Sequence, residues 1–333
     1  MLSRTADNLF WMARHIERAE NTARVLDVAH RTSLLPLDIE GSEAYLWYAP
    51  LNITGCAHSY EAVHGLAKAD TVTHYLAFDA LNPASIYNCL RLARENARAV
   101  RGAITSEMWE VINATWLELD RWSRATVDEK VADYFDWVKI RSHLFRGVTL
   151  GTILKDIALS FLKLGTFLER ADNTARILDV KFHILLPGVQ AVDNTADFYQ
   201  WGSLLKSVSA FEAYRKIYRD VLTPSRVAEL LILREDMPRS LHACMNEVEA
   251  ALIDINGSSG KEARRLAGQL HSALHFGLIE DVFEQGLHGY LTDFLSDTQL
   301  LGQEIRDSYL SRRDDFITLP KRKLVQSQSI VTA

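Results

Sequence analysis

The chain has 333 residues, 48% of them hydrophobic, which is enough to bury a large core in one or two domains. It contains only 7 prolines and 16 glycines, a composition that favours long helices over a turn-rich β fold. Its formal net charge of −6 argues against nucleic-acid binding, because such binding requires a basic surface.

Three cysteines, Cys56, Cys89 and Cys244, are spread over the chain and do not form the pattern of a disulfide framework. The N-terminal residues MLSRTADNLFWMARHIERAE have no apolar stretch before their charges begin, so no secretory signal is predicted. No segment approaches the roughly 20 apolar residues that a membrane span requires. We therefore expect a cytoplasmic protein with buried, reduced cysteines.

The first predicted helix covers residues 4–31, where apolar residues recur at steps of three and four along one face. It ends before the Leu-Leu-Pro sequence at 34–36, which recurs at 185–187, because proline cannot continue a helix. No segment shows the alternation of a β-strand, so the predicted fold class is all-α. Further helices are predicted over 83–102, 105–123, 126–146, 150–184, 193–220, 238–255, 260–287 and 289–310.

Proline positions mark several of the predicted helix starts. Asn82-Pro83 and Thr223-Pro224 are typical of an N-cap residue followed by proline at the first helical position. By the same argument Pro238 begins a helix. The serines that follow Pro83 and Pro238 by two residues would then lie in the first turns of equivalent helices.

The sequence IERAENTARVLDV at 16–28 returns as LERADNTARILDV at 168–180, with ten of thirteen positions identical. The distance between the copies at 16–28 and 168–180 is far longer than the repeat length of a solenoid protein. It indicates tandem duplication of a domain-sized unit. Other landmarks recur in the same order, 154 or 155 residues apart: Trp47 and Trp201, Tyr60 and Tyr214, Pro83 and Pro238, Ser85 and Ser240, Cys89 and Cys244.

We expect a tandem-duplicated helical bundle whose two pseudo-symmetric halves pack as one body, because no Gly-, Ser- or Pro-rich linker separates them. The predicted repeats are residues 1–146 and 147–310. Residues 311–333 are polar and end in small residues, so we predict that they form a flexible tail.

Apolar residues occur on almost every face of the helix over 16–28, which predicts that it is mostly buried. Burying its charges is costly unless they are paired or bind a ligand. Three interpretations stay open: arginine–carboxylate pairs that fix the register of the bundle, a site that holds a charged small molecule or peptide, or a protein-binding surface. The residues concerned are Glu17, Arg18, Asn21 and Arg24 in the first copy and Glu169, Arg170, Asn173 and Arg176 in the second.

A stripe of arginines occurs in the first half only. Four arginines on one helical face repel one another unless anions meet them, so they are candidates for binding a phosphate, a carboxylate or an acidic partner. The alternative is that local acids such as Glu95, Glu107 and Glu110 neutralise this face. The stripe consists of Arg91, Arg94, Arg98 and Arg101, and its counterparts in the second half are Asn246, Glu249, Ile253 and Asn256.

Metal and nucleotide chemistry have little support in the sequence. Glu61 and His64 have the spacing used by di-iron helical bundles, but the pair does not recur in the second half. His271 and His275 lie on one helical face without the glutamate of a His-Glu-x-x-His motif. Phosphate-binding glycine loops and the Gly-x-Ser-x-Gly motif of hydrolases do not occur. We therefore predict no metal site and no cofactor, and the sequence identifies no catalytic residue.

These motifs resemble those of the bacterial Alpha-E family, an all-helical, tandemly duplicated family named for a Glu-Arg motif. Glu17-Arg18 and Glu169-Arg170 match this motif. The segments at 82–113 and 286–291 also resemble sequences of the family. The resemblance covers roughly residues 1–310. It implies a component of a peptide synthesis or modification system, with a circularly permuted ATP-grasp ligase, a transglutaminase-like protease and a proteasome-like hydrolase as companions.

Three hypotheses about function follow from the residues and the resemblance. The first is a helical adaptor that holds the ligase or its peptide substrate. The second is an enzyme of the same system, with Glu17 or Glu169 as acid or base and the arginines binding a carboxylate or phosphate. The third is a helical metalloenzyme. The lack of a His or Cys nucleophile beside the Glu-Arg motif favours the adaptor.

Overall fold

A computed structural model describes residues 1–34, 42–124, 127–184, 194–255 and 260–310, and within these ranges every regular element is an α-helix. The predicted all-α fold class is therefore confirmed. The described helices are α1 (Ser3–Ser33), α2 (Ser42–Ile53), α3 (Ala57–His64), α4 (Ala69–Ala77), α5 (Ile86–Ala99), α6 (Ser106–Arg124), α7 (Val127–Thr152), α8 (Ile157–Ile184), α9 (Asn194–Ser207), α10 (Phe211–Tyr218), α11 (Pro224–Ile232), α12 (Leu241–Ile255), α13 (Lys261–Phe276), α14 (Ile279–Gln285) and α15 (Leu287–Tyr309).

The helices α1 and α8 carry the two copies of the repeated sequence and pack against each other. Their backbones approach closely at Gly165, where a Cβ atom would lie 2.2 Å from the carbonyl oxygen of Phe10. The glycine therefore permits a contact that any larger residue would prevent. This contact brings the middle turns of the two helices, with their Glu-Arg motifs, side by side.

The remaining helices surround this central pair. The helices α5 and α7 pack on α1, whereas α12 and α15 pack on α8. In addition, α2 contacts α8 and α9 contacts α1. A single hydrophobic cluster extends from Ala6 to Leu310 and includes the fully buried rings of Trp47 and Trp201. The central helices thus have protein on most sides, which explains why charged groups on them are buried.

The predicted helix starts at Pro83 and Pro238 are wrong. The helix α5 begins at Ile86, and the hydroxyl of Ser85 caps it by accepting a hydrogen bond from the amide of Asn88. Ser240 accepts in the same way from the amide at position 243, before α12. A serine at the N-cap satisfies an otherwise free amide, and this selects a start three residues later. The expectation at Thr223-Pro224 is confirmed, since Thr223 caps α11.

Two of the predicted helices are interrupted. The segment 193–220 divides into α9 and α10 around Ser209, whose φ of 54° is incompatible with a continuous helix. The segment 260–287 divides into α13 and α14 near Gly277. Three helices, α2 to α4, also occur between residues 42 and 77, for which the sequence analysis predicts no individual helix. The helix α7 continues past residue 146, the predicted repeat boundary, to Thr152.

All three cysteines are free and buried, as expected. None of the helices in the described ranges combines the length and apolar character that crossing a membrane would require. The predicted tail, 311–333, lies outside the described residues.

Candidate functional site: a reciprocal Glu-Arg network

The two glutamates of the repeated motif are buried at the contact between α1 and α8. Glu17 is 1% exposed and Glu169 is 5% exposed. The expectation that both would be mostly buried is therefore confirmed. Ionised carboxylates in such positions require charged partners, and the neighbouring helix supplies them.

The pairing between the two motifs is reciprocal. Arg170 donates from Nε and Nη2 to the two carboxylate oxygens of Glu17, at 2.8 and 2.9 Å. Arg18 donates from Nε and Nη2 to the two oxygens of Glu169, at 2.5 and 2.9 Å. Both pairs have the two-pronged geometry in which a planar guanidinium matches a carboxylate. The glutamate of each motif therefore binds the arginine of the other.

Further arginines complete the coordination of each carboxylate. Arg14 donates from Nε to Glu169 at 2.7 Å. Arg146 of α7 and Arg239, just before α12, each donate from Nη1 to Glu17 at 3.0 Å. The sequence analysis missed these three arginines. Arg146 lies outside the repeated sequence, and Arg239 lies between the repeated Pro238 and Ser240 but corresponds to Ala84 in the first copy, so the repeat singles out neither arginine.

Glu20 is a third acid of the network and is fully buried. Its carboxylate accepts from Arg239 Nη2 at 2.6 Å, from Arg146 Nη1 at 2.5 Å and from the Ser142 hydroxyl at 2.6 Å. Arg24 adds a bond from the same helix at 2.8 Å. The spacing of 17, 20 and 24 places these residues on one helical flank, a signal that could have identified Glu20 from the sequence.

The charged surroundings keep all three carboxylates ionised. Burial raises the pKa of Glu169, but Arg18 and Arg14 outweigh it and hold the value at about 2. Burial likewise opposes ionisation of Glu17, whose pKa is nevertheless lowered by Arg170 and Arg239. These groups are therefore poor proton carriers near neutral pH, because a general acid or base requires a pKa near the working pH.

The remaining motif residues occupy different environments. Asn21 accepts a hydrogen bond from Arg239 Nη1 at 3.0 Å. Arg24 also donates to the hydroxyl of Ser209 at 2.7 Å. Arg176 pairs with Asp172 of its own helix at 2.8 Å, and Asn173 lies half-buried beside it. The two copies therefore share the Glu-Arg exchange but not the outer contacts.

The arginine stripe, which runs along α5 and ends at Arg101 just after that helix, lies outside this network. Arg91 contacts Asn88 and pairs with Glu95 at 2.9 Å. Arg94 donates to Asn113 and also lies over the ring of Trp109. The guanidinium of Arg101 is 4.8 Å from the centre of that indole ring, and Arg98 is exposed. Anion binding by this stripe stays a prediction.

A polar cleft of about 360 Å³ opens beside the network, between α1, α8 and α15. Its lining residues include Arg14, Arg176 and Arg306 together with Asp172. Arg306 is exposed and makes no ion pair with another described residue. The cleft thus has a net positive lining and reaches the edge of the second Glu-Arg set.

Two buried thiols lie near the ion pairs. Burial raises the pKa of both Cys89 and Cys244 to about 12. A thiol nucleophile reacts as the thiolate, so neither group is suited to nucleophilic catalysis near neutral pH. In this network both oxygens of Glu17 and of Glu169 therefore already accept hydrogen bonds from arginines, and the neighbouring thiols stay protonated near neutral pH.

These features define a class of all-helical protein in which two Glu-Arg motifs on adjacent helices exchange ion pairs. The chain belongs to the Alpha-E family, described as a predicted alpha-helical domain with a conserved ER motif, whose family profile matches residues 1–310. The resemblance inferred from the sequence is thereby confirmed.

Three curated relatives, one from Mycobacterium bovis and two from Mycobacterium tuberculosis strains, are named only as uncharacterized proteins. Each is 23% identical over 325 residues, which cover 91% of this chain and 36% of the relative. The chain thus spans about a third of the length of these relatives. No solved structure matches the chain.

Proposed function

We propose that the protein is a helical adaptor of a cytoplasmic peptide synthesis or modification system. In this role it holds a circularly permuted ATP-grasp ligase, or the peptide substrate of that ligase, and acts with a transglutaminase-like protease. The observation that carries the adaptor role is the saturation of the Glu-Arg motifs. Both oxygens of Glu17 and both oxygens of Glu169 accept hydrogen bonds from arginines, which leaves no free acid or base in the motif.

We also infer that the fold arose by tandem duplication, with pseudo-symmetric halves close to residues 1–146 and 147–310. Helices of equal length recur at constant spacing: α3 and α10 lie 154 residues apart, and α4 and α11 lie 155 apart. The turns before α3 and α10 have positive φ angles at equivalent positions, 69° at Gly55 and 54° at Ser209. A duplicated pair of motif helices then explains why each Glu-Arg motif finds its partner in the other.

The exposed part of the arginine stripe is the surface that we assign to an acidic partner. Arg98 lies in the last turn of α5 and Arg101 in the turn that follows it, and both side chains are exposed. Exposed arginines contribute little to folding stability, so their replacement separates association from stability.

Co-purification of the full chain with a circularly permuted ATP-grasp ligase of the same organism tests the proposal. Replacing Arg98 and Arg101 together by alanine should weaken the association at least tenfold while the melting temperature stays unchanged. The matched control removes two exposed arginines elsewhere, Arg215→Ala with Arg265→Ala, and should retain binding. Loss of thermal stability without loss of association would assign the stripe a structural role, and absence of any complex would contradict the adaptor role.

A second candidate function is favoured by the cleft beside α15. An anionic peptide terminus or phosphate would meet Arg14, Arg176 and Arg306 there, which makes the second Glu-Arg set the edge of a binding site. Titration with inorganic phosphate and with a peptide that has a free carboxylate tests this. Arg306→Gln should weaken binding of the ligand, whereas Arg226→Gln should not. This candidate would replace the adaptor role if the ligand were also converted chemically.

A further inference from the structure

Three histidines from two helices of the second half lie together. His242 belongs to α12, and His271 and His275 lie one turn apart on α13. One potential ligand nitrogen of each ring lies within 4.8 Å of those of the other two. The ring centres are 5.4 to 5.7 Å apart. The cluster therefore presents three imidazole groups to one point in space.

The hydrogen bonds of His242 leave one ring nitrogen without a partner. Its Nδ1 lies 2.8 Å from the backbone carbonyl oxygen of Leu233, so Nδ1 carries the proton and donates it. Nε2 then has a lone pair, and it is buried with no hydrogen-bond partner among the described residues. The side chain is 4% exposed. A buried polar atom left unsatisfied is uncommon in native proteins and calls for a ligand.

His271 is oriented by a carboxylate. Its Nδ1 lies 2.7 Å from a carboxylate oxygen of Glu249, on the helix that also carries His242. This contact assigns the proton to Nδ1 and leaves Nε2 as the nitrogen that can bind a metal. Metal-binding histidines are commonly oriented through their second nitrogen by a carboxylate or a backbone carbonyl. The cluster contains one example of each arrangement.

We propose that His242, His271 and His275 bind a divalent transition-metal ion that prefers imidazole, with Zn²⁺ as the reference ion. Three histidines supply three of the four ligands of a tetrahedral site, and solvent beside the exposed His275 supplies the fourth. At a metal–nitrogen distance of about 2.1 Å, tetrahedral ligand atoms are about 3.4 Å apart. The ligand nitrogens lie within 4.8 Å of one another, so binding requires rotation of the side chains, which the half-buried His271 and the exposed His275 have room to make.

The equivalent positions of the first half indicate that the histidines are not required by packing. At a spacing of 155 residues, His242 and His271 correspond to Tyr87 and Trp116, whose ring centres lie 5.4 Å apart. His275 corresponds to Asp120. An aromatic pair therefore fills this space between the equivalent helices α5 and α6. The three imidazoles and their orienting carboxylate occur only in the second of the two positions.

The test uses the full chain without a histidine tag, freed of metal with a chelator and titrated with Zn²⁺ in a calorimeter. One ion should bind per chain, and Co²⁺ should give the visible absorption of a tetrahedral site. His275→Ala should abolish binding of that ion, because it removes one of the three ligands. The side chain is exposed, so its removal should leave the fold intact. Glu249→Gln should weaken the affinity roughly 10- to 100-fold, because it disturbs only the orientation of His271.

His58→Ala is the matched control, because His58 is an exposed histidine of α3 outside the cluster. It should bind Zn²⁺ as the unmodified chain does. Zn²⁺ should also raise the melting temperature of the unmodified chain and of the control, but not of His275→Ala. Absence of one-to-one binding, or equal binding by the chain with and without His275, would overturn the proposal.

Discussion

At the scale of single residues, Glu169 shows how attraction within an ion pair offsets the free-energy cost of burying its charges. Its carboxylate is almost fully buried and accepts hydrogen bonds from Arg18 and Arg14. Removing such charges from water costs several kcal/mol per ion, and the attraction between them roughly offsets that cost. The pairs are therefore expected to specify how α1 and α8 align more than to add net stability.

Removing one partner of a buried pair should be more damaging than removing both. Glu169→Gln leaves two arginines facing a neutral group, and we expect a loss of about 3 kcal/mol in the free energy of unfolding. Replacing Glu169 by leucine together with Arg18 by methionine leaves only Arg14, whose side chain is 18% exposed, without its carboxylate, and should recover part of that loss. Urea unfolding followed by circular dichroism measures both changes.

The matched control is Glu262→Gln, which breaks an exposed pair with Arg265. Exposed pairs contribute little, so the unfolding free energy should stay essentially unchanged. If Glu169→Gln behaved like this control, the ion pair would not be a determinant of the fold.

The pKa of Glu169 predicts how stability depends on pH. The value is about 2 in the folded protein against 4.5 for the ordinary group, so its contribution is fully present above pH 4.5. This contribution is lost as the pH falls from 4.5 towards 2, by about 3 kcal/mol in all. The lowered pKa values of Glu17 and Glu20 act in the same direction.

Unfolding free energies measured between pH 7 and pH 3 check this expectation. Glu169→Gln has no titrating group at that position, so its stability should depend less steeply on pH than that of the unmodified chain. Parallel pH profiles for the two proteins would contradict the assignment of Glu169 as a lowered-pKa group.

At the scale of secondary-structure elements, the contact between α1 and α8 depends on Gly165. The backbones meet there without an intervening side chain, and a Cβ atom would overlap a carbonyl oxygen of the opposite helix. Separating the helices to make room would also lengthen the Glu17–Arg170 and Glu169–Arg18 hydrogen bonds. The glycine and the ion pairs are therefore coupled.

Gly165→Ala should destabilise the protein by about 2–3 kcal/mol, the cost of overpacking a contact that cannot relax. The control is Gly147→Ala in α7, where an added Cβ has no neighbour within 4 Å. That substitution should stabilise by about 0.5–1 kcal/mol, since alanine favours the helix. Thermal and urea unfolding distinguish the two, and equal effects would contradict the close approach.

At the scale of the whole molecule, one hydrophobic cluster joins buried residues from Ala6 to Leu310. The cluster includes Cys89 of α5, which packs on α1, and Cys244 of α12, which packs on α8, and both thiols are fully buried. Because α5 and α12 each pack on one helix of the central pair, loosening that pair should expose both thiols together.

Thiol labelling tests this coupling. In the native protein Cys89 and Cys244 should react slowly at pH 8, because both are buried and their pKa values are about 12. Gly165→Ala should accelerate labelling of both thiols by a similar factor, whereas Gly147→Ala should not. Mass spectrometry after peptide digestion measures each site, and acceleration of one thiol alone would indicate that the packing of α5 and that of α12 open independently.

The sequence by itself determined the all-helical fold class, the repeated motif and the burial of Glu17 and Glu169. These features depend on local composition and on the periodicity of apolar residues, which are visible within a few helical turns. The sequence did not predict the exact start of α5. Both Pro83 and Ser85 are typical of a helix N-terminus, and the structure uses Ser85 as the N-cap.

Only the tertiary structure decided which charges meet and which histidines form a cluster. Arg146 and Arg239 reach Glu17 across more than a hundred residues of chain, and His242 joins His271 through the packing of α12 on α13. The periodicity of apolar residues predicts which face of a helix is buried, but it does not predict which other helix packs on that face. That choice depends on the packing of every helix together, including the contact at Gly165, and it sets the distances on which ion pairing and metal binding depend.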